Sequence, residues 1–210
     1  MQGKSSLRDR PPSLLITGGN SKLGRYLTGY FSQNGWEVHV VPREFHGCMP
    51  GYENIPLSNE TWNYHKSFHY PPRKDYDLIL FNHNRKPPNP KIFCNSDVDL
   101  LEYLDPYLTY SNVKVGWMVT GDATRPKYIK DQVLFNKWSH EPTFQLYVAQ
   151  KALYISRCRY YALEKGWKTF CVDPGHIRHD VEGVHERISE KFLNFVMSDF
   201  ESGCIKHITG

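Results

Sequence analysis

The sequence predicts an α/β chain: one doubly wound parallel sheet between helices, a three-layer αβα sandwich. Three observations carry that prediction. Short apolar runs recur along the chain, and the first is continuous, as a strand buried on both faces requires. Helical patterns separate them, the signature of βαβ units. The first run, Ser13-Leu14-Leu15-Ile16-Thr17, breaks directly into Gly18-Gly19 and then into a helical stretch.

The elements follow in order. Met1 to Pro12 is polar, ends in Arg10-Pro11-Pro12 and reads as a disordered lead-in, leaving 13–210 as a single domain. After the glycines, Leu23, Tyr26, Leu27, Tyr30 and Phe31 recur at i, i+3, i+4, i+7 and i+8, a helix that Asn34-Gly35 ends. Glu37 to Val41 is a second strand, and Glu53 to Leu57 a weaker third. Asp77 to Phe81 is a fourth, closed by the turn-rich Asn82-His83-Asn84 and Pro87-Pro88-Asn89-Pro90. A helix over Asp97 to Leu108 carries Val98, Leu101 and Leu104 before a fifth strand, Val113 to Val119. Polar residues with little periodicity then run to about Pro142. A long helix covers Thr143 to Lys165 and stops at Gly166. Lys168 to Val172 is the sixth strand, ending in Pro174-Gly175. Val184, Ile188, Phe192, Phe195 and Val196 mark a last helix, and Cys204 to Ile208 a last short strand.

Composition narrows the function. With 40% hydrophobic and 23% charged residues, the chain has the make-up of an ordinary soluble globule. The net charge of +4 is spread along the chain, which argues against nucleic acid but suits an anionic small molecule. Five cysteines without a CxxC pair read as reduced thiols in a cytoplasmic protein, with no disulfide framework and no zinc site. No apolar run approaches the roughly 20 residues of a membrane span. Homo-oligomerisation is left open.

Two regions carry chemistry. In Thr17-Gly18-Gly19-Asn20-Ser21-Lys22-Leu23-Gly24, between a strand and a helix, glycines allow a tight turn and close backbone approach to a pyrophosphate. The phosphate charge would then sit at the helix N-terminus. Cofactor choice is read at the end of the second strand, where an acidic residue would bond an adenosine ribose 2′-hydroxyl. Val41-Pro42-Arg43 offers no carboxylate before Glu44, and the planar fork of Arg43 suits a 2′-phosphate, so NADP(H) is expected over NAD(H). The alternative for Arg43 is a solvated surface residue. The second region is Tyr147 to Lys151, whose ends at i and i+4 share one helical face. A free tyrosine titrates near about pH 10, and an adjacent ammonium lowers that value toward a useful acid. The same lysine can reach ribose hydroxyls. The alternative is that Tyr147 packs in a helix already rich in tyrosine, beside Tyr154 and Tyr161.

Together these motifs resemble the short-chain dehydrogenase/reductase family. Thr17 to Gly24 is similar to its TGxxxGxG fingerprint, with Lys22 standing where the family has its middle glycine; a side chain there narrows the approach or adds a cation. Tyr147 and Lys151 match YxxxK, and Lys151-Ala152-Leu153 and Trp167 to Gly175 continue the likeness. Asp77 to Asn84 resembles the D-x-x-x-NNAG strand end that lines the adenine side, placing Asn82, His83 and Asn84 there. His83, with no nearby cysteine or carboxylate partner, reads as a pocket wall rather than a ligand. Pro174-Gly175-His176-Ile177 resembles the PGxx segment beside the nicotinamide amide, although Arg178-His179-Asp180 replaces the threonine that follows.

The resemblance implies a Rossmann-like NAD(P)-binding domain that moves hydride between the nicotinamide and a small carbonyl or alcohol, with Tyr147 handling the proton. It also implies an Asn-Ser-Tyr-Lys set. Asn95 stands where the asparagine holds a relay water. No serine follows the fifth strand in Val119-Thr120-Gly121-Asp122-Ala123-Thr124. Thr120 offers a hydroxyl that donates and accepts without adding charge, while Asp122 resembles the aspartate of pteridine reductases and also suits a turn. Only 35 residues follow Gly175, fewer than an ordinary member uses to cover its substrate. A rival reading, an NAD(P)-binding sensor or scaffold with impaired catalysis, draws on that trimming, on Lys22 and on the missing serine. A nucleotide-sugar epimerase would need a larger C-terminal domain than the chain has room for.

Overall fold

The computed structural model describes residues 10–19, 21–41, 60–61, 75–82, 101–102, 105, 112–120, 123, 142–175 and 177–210; for 60–61 and 142–147 it describes the backbone. The described elements are β1 (Ser13–Thr17), α1 (Lys22–Gln33), β2 (Glu37–Val41), β3 (Glu60–Thr61), β4 (Leu78–Phe81), β5 (Lys114–Met118), α2 (Pro142–Glu164), β6 (Lys168–Asp173), α3 (Val184–Met197) and β7 (Cys204–His207). Leu101, Glu102 and Asp105 are helical, within the helix expected over 97–108. The third strand of the sheet is Glu60–Thr61; the expected Glu53 to Leu57 lies outside the described residues.

The seven strands lie in the order β3-β2-β1-β4-β5-β6-β7, and every neighbouring pair is parallel. The chain builds outward from β1 to β3, then returns to the other side of β1 to lay down β4. Thr17 at the end of β1 stands beside Phe81 at the end of β4. The crevice beyond those two ends is the topological switch point, where open parallel sheets bind ligands.

Side-chain alternation divides the core in two. Leu14, Ile16, Leu78, Leu80, Phe170 and Val172 point to one face, where Leu27 and Phe31 of α1 and Ile188 and Phe192 of α3 cover them. Leu15, Ile79, Phe81, Val115, Trp117 and Cys171 point to the other and meet Tyr154, Cys158 and Tyr161 of α2. Both faces are therefore apolar, which is why the strands read as unbroken hydrophobic runs. Gly116 on β5 pairs with Phe170 on β6, and a Cβ at Gly116 would lie 2.3 Å from the Phe170 ring. The missing side chain lets that ring lie over the sheet between Phe192 and Phe195.

Contacts with the sheet begin before Ser13. Arg10 donates to the Asp77 carboxylate at 3.1 Å and to the Asp75 carbonyl at 2.6 Å, and Glu37 N–H donates to Pro12 O at 2.9 Å. The lead-in expected over 1–12 thus reaches the base of β1, β2 and β4 by Arg10; residues 1–9 lie outside the described residues.

Candidate functional site

The turn after β1 is built for close approach. Gly18 takes a φ of +64°, and Ser21 N–H closes the turn on Gly18 O at 3.0 Å. Ser21 caps α1, its Oγ accepting Gly24 N–H at 3.1 Å. A Cβ at Gly24 would sit 2.3 Å from Gly18 O and 2.8 Å from the Gly19 Cα, so only glycine lets the helix begin against its own turn. Gly19 in the same way clears Val40 of β2, whose Cγ1 a Cβ would meet at 2.6 Å. Leu23 points down into the core. The backbone N–H groups of Lys22 and Leu23 lie in the first turn, ahead of the helix's own i→i−4 bonds, and that turn carries no acidic residue. The positive end of the helix is left for an anion. Lys22 Nζ reaches across to the His179 carbonyl at 3.4 Å. Asn20 lies outside the described residues.

Asn82 joins this turn to β4. It is buried, and its Nδ2 donates to Gly18 O at 3.2 Å and to Ser21 Oγ at 3.1 Å. Ser21 Oγ therefore accepts two hydrogen bonds, from Gly24 and Asn82, which turns its own O–H outward as a donor. Arg43, His83, Asn84, Asn95 and Asp122 lie outside the described residues.

At the end of β5 stands the second half of the site. Lys151 of α2 is only 1% exposed, and its Nζ donates to Met118 O, the last residue of β5, at 2.7 Å. The ammonium also lies 5.1 Å from the centre of the Tyr154 ring, whose hydroxyl accepts Gln150 Nε2 at 3.0 Å. Burying an ammonium is costly, and the carbonyl and the ring face offset that cost. Thr120, half-buried, follows β5 by two residues and its carbonyl accepts Ala123 N–H at 3.0 Å. Tyr147 stands one turn before Lys151 in the α2 backbone, with its side chain outside the described residues.

The sequence reading placed Pro174 to Ile177 at the end of β6 but missed Asp173 beside them. Asp173 is fully buried; its Oδ1 accepts Gly175 N–H at 2.8 Å, and its Oδ2 lies 2.9 Å from His207 Nδ1 on β7. Ile208 N–H donates to the Asp173 carbonyl at 2.9 Å. One carboxylate thus fixes the Pro174-Gly175 turn and ties it to the last strand, while Ile177 packs on the α1 and α3 side of the core. The available signal was the aspartate two residues before a glycine, the pattern of a side chain that accepts a turn N–H. His176 lies outside the described residues.

Solved structures share this fold. A short-chain dehydrogenase from Salmonella enterica serovar Typhi CT18 superposes with a TM-score of 0.64 at 14% identity, covering 95% of this chain and 96% of its own. The chain has the short-chain dehydrogenase/reductase fold. The 3-alpha-hydroxysteroid dehydrogenase of Pseudomonas sp. B-0831, complexed with NADH, matches at a TM-score of 0.60 and 14% identity over 94% of this chain and 95% of that one. A Shigella flexneri 2a protein assigned to the short-chain dehydrogenases and complexed with NADP matches at 0.65 and 14%, over 95% and 97%. No family model matches the sequence, and no curated protein does. On this short-chain dehydrogenase fold, Thr17 to Gly19, Ser21 to Gly24, Asn82, Thr120, Lys151 and Asp173 to Gly175 gather at the C-terminal ends of β1, β4, β5 and β6.

Among the described residues no helix is long and apolar enough to cross a membrane, and no cluster of three or more histidine, cysteine or acidic residues could hold a metal ion.

Proposed function

We propose that residues 13–210 form one nucleotide-binding domain of an NADP(H)-dependent oxidoreductase of the short-chain dehydrogenase/reductase type, acting on a small carbonyl or alcohol. The observation that carries this reading is Lys151, an ammonium buried at the C-terminal end of β5 and one helical turn from Tyr147. A lysine in a purely structural role has little reason to sit at that end of a parallel sheet.

The residues fit a dinucleotide. The open Lys22 and Leu23 N–H groups, the outward Ser21 hydroxyl and the Lys22 ammonium would hold the pyrophosphate, with the turn glycines giving clearance. Arg43 would pair with a 2′-phosphate, Asn82, His83 and Asn84 would line the adenine side, and Pro174 to Ile177 would border the nicotinamide amide. Lys151 would hold the ribose. When bound, the nicotinamide supplies or accepts the hydride. Tyr147 gives the proton to the substrate oxygen, or takes it away, with Lys151 favouring its ionised form. Thr120 or Asp122 orients the oxygen, and Asn95 supports the proton relay. The sensor reading is favoured by one contact, Lys22 in the place of a glycine and tied to His179.

Calorimetric titration of NADPH and NADH into wild type and Lys151→Met tests the site, because methionine keeps most of the apolar stem and removes the charge. The proposal expects NADPH to bind tighter than NADH, and the variant to bind both more weakly. A folded wild type that binds neither removes the reading. A carbonyl panel followed at the nicotinamide absorbance then separates enzyme from sensor.

A further inference from the structure

The segment after β6 carries a histidine pair that the proposed chemistry does not use. His179 Nδ1 and His185 Nε2 are 2.9 Å apart, with the rings inclined by 16° and their centres 5.1 Å apart. His185 lies in the first turn of α3, is buried, and stacks on Tyr26 of α1 at 4.4 Å and 10°. Lys22, the first residue of α1, donates to the His179 carbonyl. Two imidazoles and an ammonium therefore meet beside the open end of α1.

A hydrogen bond between two imidazoles needs one donor nitrogen and one acceptor. The pair can thus hold one positive charge, but a second would break the bond. Burial first, then His179 and the Lys22 ammonium, push the His185 pKa down, and Glu186 on α3 opposes them weakly. His179 is the exposed ring of the pair. Among the described residues nearby in the chain, Arg178 and Asp180 bond each other at 2.8 Å, and Arg187 donates to the Glu182 carbonyl at 3.2 Å. Tyr26 faces His185 from α1 as a neutral ring. In the free protein the Lys22 ammonium opposes protonation of the pair, whereas an anion at the start of α1 favours it.

We propose that His179 is a phosphate-responsive residue of the nucleotide site. Seating a pyrophosphate on the α1 N-terminus draws one proton onto the His179–His185 pair, which with Lys22 becomes a second cationic wall. Binding then tightens as pH falls. This inference rests on the nucleotide-binding reading above.

NADH is the suitable probe, because the 2′-phosphate of NADPH itself titrates near about pH 6. Titration calorimetry at pH 7 in buffers of different ionisation enthalpy should show net proton uptake on binding, and affinity should rise several-fold from pH 8 to pH 6. His179→Gln changes an exposed side chain and should bind without uptake and with a flat pH profile. Wild-type binding without uptake overturns this inference and leaves the nucleotide reading standing; so does uptake that persists in His179→Gln. Absence of NADH and NADPH binding by folded wild type at both pH values overturns both.

Discussion

Asn82, Ser21 and Gly24 show how closely the turn after β1 is specified. The Ser21 hydroxyl caps α1 and receives Asn82 from the neighbouring strand, while Gly24 has no room for a side chain. The Ser21 donor is a consequence of that packing: once the cap and the brace occupy the lone pairs of Ser21, its own O–H is left to donate. The proposed cofactor preference rests on Arg43, and its test is separate from the rest of the site. Arg43→Ala should weaken NADPH by about 1.5–3 kcal/mol, the scale of hydrogen bonds to a charged group, and leave NADH nearly unchanged in parallel titrations. Equal losses, or a wild type that prefers NADH, would remove the 2′-phosphate assignment. At this scale the glycines and the Tyr147/Lys151 spacing were legible, since both are local patterns. Asp173 was not, because its importance lies in Gly175 and in His207 on a strand that follows in the chain but packs beside it. Nor was the His179–His185 pair, which takes its meaning from Lys22 and Tyr26 on a helix far away in sequence.

Strands and helices were more readable than their partners. β1 and β4 emerged as continuous apolar runs because helices cover the sheet on both sides. β3, two residues long at the sheet edge, has too little length to show a pattern. The α2 boundaries came from Gly166 and the residues before it, and the helix runs Pro142–Glu164. The demand on Gly116 was invisible, because a glycine inside a strand shows no sign of the ring that fills its place. Gly116→Ala should lower stability by about 1–3 kcal/mol, the range for overpacking a core, in denaturant unfolding followed by tryptophan fluorescence. Phe170 is held by Phe192, Phe195 and Phe200, so it has no easy direction in which to move. A neutral effect would mean that the aromatic layer between β6 and α3 is looser than described.

Strand order is a property of the whole molecule. Alternating strands and helices announce a parallel sheet, yet nothing local places β4 beside β1 rather than beside β3. That reversal creates the switch-point crevice, and the likeness to solved dehydrogenases extends across nearly the full length of both chains. The same packing sets the behaviour of the cysteines. Cys158 of α2 and Cys171 of β6 are buried on one face of the sheet; the neighbouring Cys158 thiol and burial push the Cys171 thiol up. Pulsed alkylation with peptide mapping should leave both unmodified until the domain opens, whereas Cys204 at the edge, only partly buried, should react sooner. Rapid native-state labelling of Cys171 would contradict the α2 packing against β6.

The measurement that bears most directly on the central claim is turnover by Tyr147→Phe, with NADPH saturating and binding measured on the same preparation. The substitution removes one hydroxyl and leaves the glycine turn and Lys151 in place. Cofactor affinity should stay nearly constant while turnover on a carbonyl substrate falls by about 10²–10⁴-fold, the contribution typical of a positioned general acid. Turnover that survives the loss of the phenol, or a nucleotide-loaded wild type that reduces nothing across a broad carbonyl panel, would contradict the account.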